Sequence, residues 1–324
     1  ASQFQPSKMM NALDVVGSLR QDRHSGIMGE LGATSPMIPL SLKVRSLDSK
    51  EAVLSEKDFH CNVFVHQKWT PTLMMLALYN SISRMNDFSD DATYRLKGKV
   101  EMNGLGSIGL ATMQAQGDMP MPPPMALAVW LGDKFNRLYL NNVNTPDVKG
   151  VSLTLDLLPE RRVAAVQSGW VANPDVQAGD DLAVKVSVRP YRGDAIQREV
   201  TVKIPAGLAK GDHRILLSDA DTLNRMQSAA GFNNRFIDVP QAVSLLNQER
   251  SNNRLYVSLL KASPTAYYDD KTMPSMPSSV LNVIQAGKAS NRAMVTTPET
   301  ASEQASIPFD YMVTGSYSIR IHVK

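Results

Sequence analysis

Cysteine is almost absent from this chain of 324 residues, since Cys61 is the only one. One cysteine excludes an intramolecular disulfide and any zinc site built on several cysteines. It fits a reducing compartment, and equally a bacterial envelope protein large enough to fold without disulfides. The chain also lacks any apolar run near the roughly 20 residues of a membrane-spanning helix. We therefore predict no membrane span.

Aromatic residues are few and no charge of one sign dominates. The net charge is +3, and aromatic residues make up 6% of the chain. Lysines and arginines are interspersed with acids and form no cluster with aromatics, so we predict no nucleic-acid partner. The 17 methionines favour core packing, with adaptable contact surfaces as the alternative. A signal peptide is absent and the chain begins at Ala1, so we expect a processed product or a fragment.

Strand-forming sequence dominates what is present. Apolar residues alternate with polar ones over 182–188 and 196–204, on either side of a turn at Tyr191–Asp194. A period of two with β-branched residues predicts two strands of a hairpin with one buried face. Similar alternation recurs between 38 and 65 and again over 151–157. We therefore predict a mainly β protein with a few short helices, built as an antiparallel Ig-like β-sandwich plus α+β flanking segments.

A few segments break the strand pattern. Helical spacing predicts a helix over Thr72–Met85, with Thr70-Pro71 as its start. Helices are also predicted from Leu127 to Leu138, over Asp219–Gln227, and from Pro240 onward. The remaining predictions concern irregular segments and the end of the chain: Met119–Met125 as irregular, Ser263–Ser279 as an extended loop, Ser279–Ala286 as a helical turn, Lys288–Ser306 as linker, and Tyr317–Val323 as a final strand.

These patterns divide the chain into five predicted segments. They are an N-terminal lead with a strand pair (1–36), a β-rich domain with two helices (37–163), the Ig-like sandwich strands (164–218), a helix–strand segment with a Pro-rich loop (219–287), and a polar linker with a C-terminal strand (288–324).

Two short motifs invite a functional interpretation. Gly104–Gly109 matches the G-x-G-x-x-G dinucleotide pattern, but Pro120 leaves no room for the helix that must hold a pyrophosphate. A glycine-rich hairpin is the preferred interpretation. Arg192-Gly193-Asp194 spells the integrin-binding tripeptide at a predicted turn. Because Gly-Asp is ordinary turn chemistry, a plain turn is preferred there too.

Metal-binding and nucleophilic patterns are weak. His60 and His66 share a strand face but lie roughly 20 Å apart, so we expect no metal site. Asp219 and Asp221 lack the rest of a calcium loop, and we predict that Ser218 or Asp219 caps the following helix. The serines nearest to a nucleophile pattern, Ser25 and Ser316, do not lie in a G-x-S-x-G motif. We predict no catalytic residue, no cofactor and no metal.

Several stretches carry a family resemblance. They are Gln21–Gly32 (QDRHSGIMGELG), Pro36–Pro39, Val188–Gly193, Ile215–Arg225, Leu245–Val257, Met273–Pro277 and Val313–Ser316. In their order and spacing they resemble the region that follows the peptidase domain in bacterial SpoIVB-type serine peptidase proteins, notably those of acidobacteria. The family's catalytic serine lies in a segment similar to S-G-M-S-G-S-P, with its histidine further upstream, and neither has a counterpart here.

The resemblance implies an extracytoplasmic location, in the periplasm or at the cell surface, and release from a longer precursor before Ala1. We predict a non-catalytic accessory or structural subunit that acts through protein–protein contacts, with one or more protein partners in an envelope complex. Met119–Met125 and Asp270–Ser279 are the predicted contact segments, although both loops can equally pack on their own domain. The alternative is the non-catalytic portion of a SpoIVB-type peptidase whose catalytic domain lies upstream. A sugar-binding sandwich, using Trp69, Trp130 or Trp170, is a third option.

Overall fold

The computed structural model describes most of the chain. The described residues are 16–85, 91–116, 121–140, 144–231, 238–261, 265–268, 271–273, 295–297 and 300–324. Within them the protein is mainly β, with four short helices. The predicted β class with a few helices is confirmed at this level.

A two-stranded hairpin opens the described chain. Strand β1 (Gly17–Arg23) pairs antiparallel with β2 (Gly26–Leu31), and none of the other described strands joins their sheet. The predicted strand pair is confirmed.

The next part is a five-stranded mixed sheet, called here the first sheet. Its elements along the chain are β3 (Met37–Leu47), β4 (Val53–Phe64), α1 (Thr70–Ser83), β5 (Thr93–Met102), β6 (Gly106–Ala115), α2 (Pro123–Tyr139) and β7 (Val148–Leu158). The strand order is β4-β3-β7-β5-β6, with β3 and β7 parallel and the other pairs antiparallel. The chain thus runs twice through a hairpin followed by a helix before β7 fills the centre.

One face of the first sheet is apolar because its strands alternate. Leu40, Leu96 and Leu153 are buried in the same core as Met74 of α1 and Leu131 of α2. The two helices therefore cover this face, and the charged residues between the apolar ones point to the opposite face.

Helix α1 begins at Thr70-Pro71 as predicted, whereas the start of α2 differs from the prediction. Thr70 does not cap α1, because Trp69 is the N-cap. Instead the buried Thr70 hydroxyl donates to the carbonyl of Phe64 and accepts from the amide of His66. The prediction that Met119–Met125 is irregular is wrong at its end, where Pro123 begins α2. Proline fits a first helical turn because the amides there have no intrahelical partner.

The second part consists of two sheets. The four-stranded sheet has the order β11-β10-β8-β18, and the five-stranded sheet has the order β17-β13-β12-β19-β9. Their strands are β8 (Val163–Val171), β9 (Asp175–Val176), β10 (Asp181–Pro190), β11 (Ile196–Lys203), β12 (Gly211–Ser218), β13 (Arg254–Lys261), β17 (Thr300–Pro308), β18 (Met312–Thr314) and β19 (Ser316–Val323). Val186, Leu217, Val257 and Ile321 from the two sheets share one core.

This core draws on more of the chain than the segment 164–218. Strand β13 comes from the predicted helix–strand segment, and β17 to β19 come from the C-terminal segment. The linker prediction for Lys288–Ser306 is wrong over its end, because β17 pairs with β13 along its length. The final strand does pair, as predicted, and its neighbour is β12.

Residues 219–297 add two helices and a small sheet. Helix α3 (Ala220–Gly231) and helix α4 (Val239–Asn247) confirm two predicted helices. Strands β14 (Thr265–Tyr268), β15 (Lys271–Met273) and β16 (Val295–Thr297) form a three-stranded sheet. The predicted loop over Ser263–Ser279 therefore contains two strands, and the predicted turn at Ser279–Ala286 lies outside the described residues.

Helix α4 connects the two parts. Although it follows β12 of the second part in sequence, its buried Val243 and Leu246 belong to the core of the first sheet. Its start is fixed by a capping box, in which Asp238 accepts from the Gln241 amide at 2.9 Å.

Two asparagines then close the outer edge of β6. The Asn247 amide accepts from the Gly109 backbone N–H and donates to the Ser107 carbonyl, both at 3.0 Å. Asn252 accepts from the Met113 N–H at 2.9 Å and donates to the Met113 carbonyl at 2.7 Å. These side chains bond to edge groups that a neighbouring strand would otherwise pair.

We expect Asn252→Ala to lower the free energy of unfolding by about 1–3 kcal/mol, because a part-buried N–H and carbonyl of Met113 lose their partners. Urea unfolding monitored by circular dichroism measures the change. The matched control is Asn62→Ala, at an exposed position, which should change stability by less than about 0.5 kcal/mol. Equal effects of the two substitutions would contradict the edge-closing role of Asn252.

Candidate functional site

The β1–β2 hairpin exposes an unusual amount of apolar surface. Leu19, Ile27 and Leu31 are 75%, 66% and 85% exposed. Leu19 is paired with Gly29, and Asp22 with Ile27. Because paired residues share a face, alternation along the strands places Leu19, Ile27 and Leu31 on one face together with the position of Asp22. We call these three side chains the hairpin face.

The opposite side of the hairpin carries both polar and apolar residues. Ser18, Gln21 and Glu30 lie there by the same alternation, together with Val16 and Met28, which are 71% and 55% exposed. The hairpin therefore leaves apolar side chains in water on both of its sides. Among the described strands, only β1 and β2 form this sheet.

The base of the hairpin is fastened to the rest of the chain. The Gly32 amide donates to the Val16 carbonyl at 2.9 Å. The hydroxyls of Ser18 and Ser35 are 2.8 Å apart, and the Val65 amide donates to the Pro36 carbonyl at 3.0 Å. These bonds connect the hairpin to the end of the first sheet where β3 begins and β4 ends.

Three more exposed apolar residues lie around this end of the sheet. Met37 and Phe64 are cross-strand partners, and Trp69 precedes α1. Their exposed fractions are 50%, 38% and 59%. The Phe64 ring also stacks on His66 at 6.2 Å. We call Met37, Phe64 and Trp69 the anchor group, because tryptophan and other large apolar residues dominate binding energy in protein interfaces.

The contact segments predicted from the sequence are placed differently. Of Met119–Met125, residues 119–120 lie outside the described residues, Met121 is partly exposed, and Pro123–Met125 begin α2. Of Asp270–Ser279, only 271–273 are described, as β15. Neither segment presents a described apolar surface like the hairpin face. The sequence signal for that face is the apolar Leu19, Ile27 and Leu31 within the predicted strand pair.

Both short motifs lie in hairpin turns. Gly104 and Gly106 have φ of 75° and 77° in the β5–β6 turn, so glycine is required there for the turn. Strand β6 follows directly, as the glycine-rich hairpin interpretation predicted. Arg192–Asp194 connect β10 and β11, where Arg192 pairs with Asp91 at 3.4 Å and lies over the Tyr191 ring.

Of the two predicted caps, Ser218 and Asp219, it is Asp219 that caps α3. One carboxylate oxygen accepts from the Thr222 amide at 2.7 Å and the other from the Gly315 amide at 2.6 Å. Burial, followed by the neighbouring Asp219, raises the pKa of Asp221. Within the described parts of the chain, no group of three or more histidine, cysteine or acidic side chains could hold a metal ion.

The histidines and candidate serines are dispersed. His60 contacts Ser41 at 3.2 Å, and His322 pairs with Asp212 at 2.7 Å, on different sheets. Ser25 lies in the turn of the β1–β2 hairpin, and Ser316 begins β19. For neither serine does a described hydrogen bond connect its hydroxyl to a histidine.

A charged network lies on the polar face of the first sheet. The carboxylate of the buried Asp156 forms ion pairs with the guanidinium groups of Arg45 at 2.6 Å and Arg95 at 3.1 Å. Arg95 also forms an ion pair with the Glu51 carboxylate at 2.9 Å. Glu51 forms a second ion pair with Arg162 at 2.5 Å. Hydrogen bonds from Arg95 and then Arg162 lower the pKa of Glu51 to about 2. Because each carboxylate contacts two guanidinium groups, the network is a structural link between β3, β5, β7 and the chain entering β8.

No family model matches the chain, and no curated protein or solved structure does. Among the described residues, no helix has the length and apolar character needed to cross a membrane.

We expect stability to depend on pH through Glu51. A lowered folded-state pKa means that the ionised form stabilises the fold above about pH 4.5, and that this contribution is lost as the pH falls toward 2. Glu51→Gln should therefore destabilise the protein at pH 7 and have a smaller effect at pH 3, as measured by urea unfolding. Glu160→Gln is the control, because Glu160 is 3.7 Å from Arg162 and more exposed. A Glu51→Gln effect that does not change with pH would contradict this assignment.

Proposed function

We propose that the chain is a non-catalytic accessory or structural subunit that acts through protein–protein contacts. The observation that carries this proposal is the hairpin face, which leaves three large apolar side chains in water. A two-stranded hairpin is marginally stable by itself and gains stability by packing on another structure. Burying each of these side chains would contribute about 1.5–3 kcal/mol.

The absence of a recognisable catalytic segment in the sequence supports the non-catalytic part of the proposal. We also propose, from the sequence resemblance, an extracytoplasmic location and release from a longer SpoIVB-type precursor. The alternative function is the non-catalytic portion of such a peptidase. In that case the hairpin face would pack on a catalytic domain in the same polypeptide.

The scaffold proposed for this role is an Ig-like sandwich. Two sheets of four and five strands over one core support it. The parallel pairs β18–β8 and β19–β9 at the sheet edges distinguish it from a purely antiparallel sandwich. The charged and apolar surfaces described above lie on the first sheet and the hairpin, so the sandwich would serve as a platform.

We expect no covalent labelling of the purified chain by a fluorophosphonate probe, which reacts with activated serines. In-gel fluorescence measures the labelling, with a known serine peptidase as the positive control. Stoichiometric labelling that is lost on heat denaturation would contradict the non-catalytic proposal.

A photo-crosslinking residue at Ile27 should give one dominant protein adduct in the producing cells. The matched control is the same residue at Leu54, which is also exposed but lies on β4. Gel mobility and mass spectrometry measure the adducts. The proposal predicts a discrete adduct from position 27 and only weak, dispersed products from position 54. Absence of any protein adduct from position 27 would contradict it.

A further inference from the structure

We propose that Arg161 and Arg192, which both lie over the ring of Tyr191, form a binding site for a carboxylate side chain of a protein partner. This inference rests on the proposed function, because it places the carboxylate on a protein that the chain contacts. It adds a contact made by residues other than the hairpin face. It also gives a role to the exposed turn that begins after β10.

Strand pairing brings the three side chains together from distant parts of the sequence. Arg161 lies in the connection between β7 and β8, whereas Tyr191 and Arg192 directly follow β10. The ladder between β8 and β10 runs to the start of β8. The Tyr191 amide extends it by donating to the Val163 carbonyl at 2.8 Å. The backbone of Tyr191 is therefore fixed beside the residues that precede β8.

The Tyr191 ring positions both guanidinium groups. The Cζ atom of Arg161 is 4.0 Å from the ring centroid, and the Cζ atom of Arg192 is 5.2 Å from it. Both distances are within the range of a cation–π interaction. The two Cζ atoms therefore lie within roughly 9 Å of each other, which is less than the Debye length of about 10 Å in 0.1 M salt. Both cations thus attract an anion that binds at this ring.

Arg161 carries a fixed charge that no acid of its own chain pairs with. Its side chain is half-buried, and its Nε atom is buried without a hydrogen-bond partner. Within the described part of the chain no carboxylate forms an ion pair with it, whereas the neighbouring Arg162 pairs with Glu51 at 2.5 Å. Buried polar groups nearly always have a partner. A carboxylate from another molecule would gain a charge-assisted hydrogen bond to this guanidinium.

The other residues of the cluster are open to solvent. The Tyr191 side chain is 48% exposed. The Arg192 side chain is 74% exposed, and its ion pair with Asp91 is 3.4 Å long. An exposed ion pair of this kind contributes little to stability. A ligand can therefore reach the ring and compete with Asp91 for Arg192.

The charges around the cluster favour a single carboxylate over a polyanion. Asp91 is paired with Arg192, and Glu160 is 3.7 Å from the neighbouring Arg162. Nucleic acids and anionic membranes are bound through many cations, which the described residues around this ring do not provide. The two acids would also repel a phosphate dianion more strongly than a carboxylate. Because the donors of a guanidinium match the two oxygens of a carboxylate, an aspartate or glutamate side chain fits the site.

Fluorescence anisotropy of the purified chain tests the site, with a fluorescein-labelled peptide of alternating glutamate and glycine as the probe. We expect saturable binding that weakens as salt is raised, and no binding of the same peptide with glutamine in place of glutamate. Arg161→Gln should raise the dissociation constant at least ~5-fold. Tyr191→Phe, which keeps the ring, should bind as the wild type does, whereas Tyr191→Ala should bind more weakly.

The matched control is Arg198→Gln, which removes the same charge from an exposed arginine on β11 and should leave the dissociation constant unchanged. Circular dichroism verifies that each variant is folded. A wild-type chain that does not bind the glutamate peptide would overturn the inference, and so would equal effects of Arg161→Gln and Arg198→Gln. Binding of a phosphoserine peptide without binding of the glutamate peptide would overturn the choice of a carboxylate.

The crosslinking experiment at position 27 separates this inference from the proposed function. If the glutamate peptide does not bind while position 27 gives its protein adduct, the proposed function stands and the arginine site is wrong. If the peptide binds through Arg161 while position 27 gives no adduct, the arginine site stands and the hairpin contact is wrong. If neither is observed, both fail.

Discussion

The packing of α4 on the first sheet is the interaction on which the arrangement of the two halves depends. The chain enters the two-sheet part at β8, returns to the first sheet with α4, and goes back to the two-sheet part with β13. Val243 and Leu246 bury the helix in the first core, and Asn247 and Asn252 bond the segment to the edge of β6. Neither half can therefore unfold completely without breaking contacts to the other.

The charged network and the α4 contacts act at different places on the first sheet. Glu51 and Arg162 connect the β3–β4 turn to the chain entering β8, whereas α4 closes the opposite edge at β6. The sheet is thus held to the rest of the protein from two sides. The hairpin differs in this respect, because the described hydrogen bonds to the rest of the chain are at its base.

Regular patterns made much of the fold predictable from the sequence. Alternation over 182–188 and 196–204 predicted β10 and β11, and the acid before Ala220 predicted a helix cap. Alternation cannot show which strands become neighbours, since pairing depends on contacts between distant segments. For that reason the weakly apolar sequence of β17 favours a linker, although β13 pairs with it. Proline both interrupts helices and begins them, so the sequence alone does not place Pro123 in the first turn of α2.

The candidate site was less predictable than the fold. Leu19, Ile27 and Leu31 have the alternation of an ordinary strand pair, and only the structure shows that no described strand or helix covers them. The central claim is that another protein covers this surface in the cell. Hydroxyl-radical footprinting of Leu19 and Leu31, in intact cells and in the dilute purified chain, tests it most directly. The claim predicts markedly lower oxidation of both side chains in cells, with Leu54 unchanged. Equal oxidation in cells and in dilute solution would contradict it.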